Sequence, residues 1–187
     1  MIACFCKTND KRNVWALLDM ACRKEFGRSA PRIKKLDCGK PVFVDDSRMF
    51  FSVSHTVGCV MAVIGSEPCG CDVERDRAVL DCVINRIAHE DELNDFEPLE
   101  LWTLKESLFK LVGNAADDDA CAFVKAYPFK RSNDVITCCY AEAMVCELHR
   151  ADGFQMAVVS MRTDRRVDFE EVTVEALEMY KGSLYVG

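Results

Sequence analysis

A helix-length amphipathic segment followed by three or more strand-length apolar runs occurs twice in this chain, and that repeated order limits what it can fold into. The first helix is expected over 13–26, where Val14, Leu17, Leu18 and Ala21 fall near one face and Gly27 supplies a helix stop. Strands over 41–45 and 49–54 read as a hairpin, and runs over 59–64 and 69–74 continue its sheet. The second pass has helices over 81–88 and 95–112, then strands over 121–127, 135–140, 144–149 and 154–161. A strand over 2–7 and a helix over 174–180 flank the whole. The fold class is α+β, each half a helix packed on a mainly antiparallel sheet.

The chemistry concentrates in two acidic clusters. Asp72 and Glu74 lie in Gly70-Cys71-Asp72-Val73-Glu74. Side chains at i and i+2 of a strand leave the same face, so the two carboxylates point to one region of space. Glu106 lies in Trp102-Thr103-Leu104-Lys105-Glu106-Ser107-Leu108-Phe109-Lys110. A third carboxylate carried on a helix would complete an oxygen site for Mg²⁺, with Lys105 and Lys110 beside it to meet a phosphorylated ligand. Each element also has a plainer reading: alternating acids are often a strand's solvated face, and Glu106 to Lys110 is the spacing of an ordinary surface pair.

Other segments favour phosphate binding. The strand reading of Phe50-Phe51-Ser52-Val53-Ser54-His55-Thr56 ends in polar side chains and turn amides able to receive a phosphate, and Cys38-Gly39-Lys40-Pro41 puts a lysine at the mouth of the preceding strand. Taken alone, His55 reads as a structural hydrogen-bonding residue and Gly-Lys-Pro as a common loop.

In this order and spacing, Gly39-Lys40-Pro41, Phe51-Ser52-Val53-Ser54-His55, Gly70-Cys71-Asp72-Val73-Glu74 and Trp102 to Lys110 resemble the signature of the 4'-phosphopantetheinyl transferases. The likeness runs from about residue 12 to about residue 160 and is to the monomeric type made of two similar halves. It implies a pseudo-twofold pair, 1–68 and 69–187, with the active site in the cleft between them. The implied reaction moves the 4'-phosphopantetheine arm of coenzyme A to a serine of an apo acyl or peptidyl carrier protein and releases adenosine 3',5'-bisphosphate, as in holo-acyl-carrier-protein synthases. By the same resemblance Asp72, Glu74 and Glu106 hold Mg²⁺, with Mn²⁺ as a substitute. Lys110 stands at the reacting phosphate, Lys105 near it, and Lys40, Ser54 and His55 hold the nucleotide end. Glu106, or a water it orients, is the nearest base for the serine hydroxyl.

The chain departs from that pattern in two places. Its N-terminal edge reads as trimmed, leaving Arg12 as the counterpart of basic residues that longer members place there. The stretch 113–119 is acidic where lysine or glycine is more usual. These departures keep open a coenzyme A-binding homologue without transferase activity.

A net charge of −7 argues against general nucleic-acid binding, since no basic stripe is available to neutralise a phosphate backbone. Arg75, Arg77 and Arg86 nevertheless cluster between the acidic motifs and are expected to steer an acidic carrier. The twelve cysteines include no CxxC pair, which leaves a thiol-rich metal buffer poorly supported. No run approaches membrane-spanning length, and the apolar start is too short for a signal peptide, so a cytoplasmic enzyme with no membrane partner is expected.

Overall fold

The computed structural model describes residues 1–37, 39–44, 46–113, 119–141, 144–161 and 166–184. Cys38, Asp45 and positions 114–118, with Asp117 and Asp118 of the acidic stretch, lie outside the described residues. The first part of the chain forms β1 (Ile2–Cys6), α1 (Asn13–Phe26), β2 (Ile33–Lys35), β3 (Pro41–Phe43), β4 (Phe50–Thr56), β5 (Cys59–Gly65) and β6 (Cys69–Arg75). There follow α2 (Asp81–Ile87), a 3₁₀ turn (Glu90–Asn94), α3 (Pro98–Val112) and α4 (Ala120–Ala126). The chain continues through β7 (Phe129–Ser132), β8 (Val135–Cys138), β9 (Met144–Ala151), β10 (Phe154–Met161), β11 (Asp168–Glu171) and α5 (Val174–Leu184). The α+β class stands.

Two larger sheets carry the fold, ordered β11-β1-β5-β4 and β6-β10-β9-β8-β7. The period of two is visible in where each strand's side chains go. Cys4, Cys6, Val60, Ala62 and Ile64 pack under Leu17, Leu18 and Ala21 of α1. Their neighbours Ala3, Phe5, Met61 and Val63 turn the other way and share a core with Cys69, Cys71 and Val73 of β6 and Met156 and Val158 of β10. The opposite face of β10, at Ala157 and Val159, packs on Leu101, Leu104 and Leu108 of α3. Both faces of the central strands are thereby buried, as their near-continuous apolar sequence requires.

Four sequence expectations change. The strand at 41–43 pairs with β2, not with the strand at 50–56, whose partner is β5. β6 does not continue the first sheet but pairs with β10 at the edge of the second. The segment 121–127, read as a strand, is helix α4: the Asp119 carboxylate accepts the N–H groups of Cys121 and Ala122 at 3.0 and 3.1 Å and starts a helical turn. The helix expected over 95–112 begins only at Pro98, because Glu97 and Glu100 form a capping box there and proline suits the first helical position.

The last strand crosses back. β11 pairs parallel with β1, and Leu177 of α5 is fully buried against the first sheet's core. The described cysteines are all free thiols, and burial pushes Cys71 up to about 11, so it packs as a small hydrophobe and not as a thiolate ligand. No described helix is long and apolar enough to cross a membrane.

Candidate active site

The edge strands of the two sheets meet through side chains. Ser52 Oγ of β4 accepts the N–H of Cys71 of β6 at 3.1 Å. Two residues further along β4 and one further along β6, Ser54 Oγ donates to Asp72 Oδ1 at 2.8 Å. With Cys69, Cys71 and Val73 in the shared core, Gly70, Asp72 and Glu74 face α3.

On α3 the residues Trp102, Glu106 and Lys110 recur every fourth position and form one stripe above that strand. The Trp102 indole N–H donates to Glu74 Oε1 at 3.1 Å. One end of the stripe is thus fixed. At the other end Lys110 Nζ donates to Asp72 Oδ1 at 2.7 Å and to Ser54 Oγ at 2.9 Å. Burial by itself would lower the Lys110 pKa, but Asp72, Cys71 and Glu106 together more than offset this and hold it above the ordinary lysine value. Glu106, half-buried between them, is raised above the ordinary glutamate value, first by burial and then by the negative charge of Asp72, with Glu74 adding and Lys110 opposing.

Asp72 is 5% exposed, and its second oxygen, Oδ2, is buried without a hydrogen-bond partner. Leaving a carboxylate oxygen unsatisfied at such depth is costly unless something else occupies it. Among the described residues no three acidic, histidine or cysteine side chains are gathered closely enough to hold a metal ion. Lys110 stands on Asp72, and Glu74 is drawn toward Trp102 and toward Arg77, whose Nε lies 3.6 Å from Oε2. Asp72, Glu74 and Glu106 still offer oxygen atoms alone, and one of them, Asp72 Oδ2, is buried without a partner. This donor set fits a hard divalent cation.

Beside this group lies a cavity of about 270 Å³ lined by Lys40, Phe51, Val53, Phe109, Lys110 and Gly113 among others. Lys40 Nζ donates to the carbonyl of Leu111 at 2.8 Å, placing the lysine at the C-terminal end of α3. A second cavity of about 550 Å³ adjoins it and shares Lys40, Pro41, Phe51 and Gly113. His55 is exposed at the end of β4, next to Ser54.

No protein-family model matches the chain. The chain is 25% identical over 165 residues to the 4'-phosphopantetheinyl transferase ffp of Bacillus subtilis, covering 82% of this chain and 73% of that protein. It is also 33% identical over 92 residues to the 4'-phosphopantetheinyl transferase gsp of Aneurinibacillus migulanus, across 43% of this chain and 37% of that protein. Over most of its length the chain is thus similar to 4'-phosphopantetheinyl transferases.

The structure brings Ser54, Asp72, Glu74, Glu106 and Lys110 together and sets Lys40 at the adjoining cavity. Two of the residues singled out in the sequence stand elsewhere. Lys105 is turned a third of a helical circuit from Glu106 and is 1% exposed: its Nζ pairs with Glu92 at 2.7 Å and donates to the carbonyls of Val124 and Tyr127. It is therefore corrected from a phosphate neighbour to a buried strut between α3 and α4. Arg12, the other departure, is an exposed residue at the start of α1 whose guanidinium pairs with the Asp10 carboxylate.

Sequence reasoning missed Trp102 as the group that holds Glu74, although its four-residue spacing from Glu106 was in plain view. Ser52 and Gly70 were missed as well. Their roles depend on what lies opposite them, which no local pattern reveals.

Proposed function

We propose that this protein transfers the 4'-phosphopantetheine arm of coenzyme A to the serine hydroxyl of an apo carrier protein, in a Mg²⁺-dependent reaction that releases adenosine 3',5'-bisphosphate. The observation that carries this reading is the contact of Lys110 with both Asp72 and Ser54. It joins a helix of one half to strands of both halves, and it puts a cation, a buried carboxylate and a hydroxyl beside a cavity with a second lysine.

In this reading the halves, 1–68 and 69–187, are the two-half type of the superfamily, and the junction between β4 and β6 is its cleft. Lys40, Ser54 and His55 hold the nucleotide end of coenzyme A, and Lys110 stabilises the transferring phosphoryl as a point charge. Asp72, Glu74 and Glu106 would hold Mg²⁺, which when bound offsets charge growing on the leaving phosphate. Trp102 fixes the Glu74 carboxylate through its indole N–H. Glu106, whose pKa burial and Asp72 raise, receives the serine proton directly or through a water, and a base poised nearer neutrality is the better acceptor. Arg75 at the end of β6 and Arg86 on α2, both exposed, and Arg77 beside Glu74 favour approach of an acidic carrier. The protein acts as a monomer in the cytoplasm.

Incubating purified apo-carriers with the protein, coenzyme A and Mg²⁺ and weighing the carriers by mass spectrometry tests this. A gain of one phosphopantetheine is expected, and its loss on chelation with EDTA. Tight coenzyme A binding with no carrier modified across a broad panel would overturn transfer and leave a binding protein.

A further inference from the structure

Lys110 contacts Asp72 at one of the two oxygens a metal ion would use, and Ser54 buttresses that contact from the other sheet. Three carboxylates without a compensating charge would repel one another at this depth. The ammonium sits where it offsets that repulsion best. Its Nζ lies 2.7 Å from Asp72 Oδ1, with 28% of its side chain exposed against 7% for Asp72. A lysine placed so satisfies the carboxylate, but it also competes with any divalent cation for it. Lysine differs from arginine here, because a single flexible ammonium can leave one partner for another without breaking a bidentate pair.

We infer that Lys110 is an internal counter-ion that opposes divalent-cation binding until an anionic ligand draws it off Asp72, so that cation and coenzyme A bind cooperatively through this one side chain. The inference rests on the metal and coenzyme A assignments proposed above. The pyrophosphate is the anion that matches the lysine in charge, and the cavity lined by Lys110 opens beside Asp72. Once the ammonium turns to a phosphate, Asp72 Oδ1 keeps only the Ser54 hydroxyl, and the carboxylate, with its unpartnered Oδ2, is rid of the competing cation. Linkage then requires the reverse effect of equal size: the cation must raise coenzyme A affinity by the same factor.

Mn²⁺ binding followed by electron paramagnetic resonance, with and without coenzyme A, tests the idea on the intact protein without reading turnover. Lys110→Met and Lys110→Gln remove the charge at similar length. Each should bind Mn²⁺ alone at least about tenfold more tightly than the parent, the scale set by deleting one unit charge a few ångströms from the site. Coenzyme A should sharpen Mn²⁺ binding in the parent and do so much less in the variants. Equal or weaker Mn²⁺ binding by both variants without coenzyme A, while Asp72→Asn still abolishes binding, overturns the counter-ion role and leaves the metal assignment standing. Undiminished Mn²⁺ binding by Asp72→Asn overturns the metal assignment itself, and the inference with it. Should neither lysine variant fold, the parent alone decides: reductive methylation of Lys110, read by peptide mass, should accelerate when Mn²⁺ is added, and an unchanged rate at saturating Mn²⁺ contradicts the inference.

Discussion

A Cβ built on Gly70 would stand 2.0 Å from the carbonyl oxygen of Ser107. The same Cβ would lie 2.6 Å from the amide nitrogen of Leu111, so strand β6 and helix α3 touch backbone to backbone at this point. Neither neighbour is the end of a flexible side chain, and neither can yield locally. The close approach is what lets Lys110, one residue before Leu111, reach Asp72, two residues after Gly70. Gly70→Ala is therefore expected to push α3 off the strand, at a cost of at least about 2 kcal/mol by analogy with overpacked cores. A fall of several degrees in Tm together with loss of transfer is the expected result, and an unchanged Tm would contradict the packing argument.

The pKa of Glu106 gives a pH signature with a definite sign. Its value in the folded protein lies above the ordinary glutamate value, first because of burial and then because of Asp72. As pH rises from below the ordinary value, the unfolded chain releases this proton before the folded one does. Stability accordingly falls across the window between the two values. Glu106→Gln removes that penalty. In metal-free buffer the variant should melt above the parent at neutral pH, with the difference shrinking as pH drops below the ordinary glutamate value. A constant offset at every pH would contradict the shift.

Lys105 and Glu92 form a fully buried pair, in which Glu92 also accepts the backbone N–H groups of His89 and Phe129 at 2.7 Å each. Burial, acting against Glu92, lowers the lysine's pKa below its ordinary value. Replacing one partner leaves the other charge uncompensated, so Lys105→Met should cost about 3–5 kcal/mol. Chemical denaturation measures it. A loss no larger than that of an exposed lysine would contradict the strut.

This pair also shows how far the sequence could be read. Lys105 and Lys110 lie on one helix in one motif, and both carry the charge that phosphate chemistry needs. Which of them enters the cleft depends on Glu92, contributed by a 3₁₀ turn with no periodicity to announce it. By contrast α1 was legible to the residue, because its apolar face and its stop at Gly27, with φ of 69°, are both local signals. The Asp72/Glu74 face followed from strand geometry alone. Parallel pairing of β11 with β1 did not, since the partners lie at opposite ends of the chain. For the same reason the hairpin expected over 41–54 gave way to two other pairings: turn residues mark where a chain bends, not which strand it meets.

In the proposed function Lys40 and His55 would meet the 3'-phosphate of coenzyme A. Lys40→Ala and His55→Ala should each weaken binding of coenzyme A by about 1.5–3 kcal/mol, the range for a charge-assisted contact, and change dephospho-coenzyme A far less. Calorimetric titration with both ligands gives the comparison. Equal losses for the two would make these residues structural.

The buried carboxylate of Asp72 meets Ser54 of β4 and Lys110 of α3. The most direct measurement is the rate of phosphopantetheine transfer by Asp72→Asn at saturating coenzyme A and Mg²⁺, beside a circular dichroism spectrum and a melting curve of the same sample. A folded protein with transfer reduced by orders of magnitude is the predicted result, whereas near-normal turnover would contradict the placement of the active site at this junction.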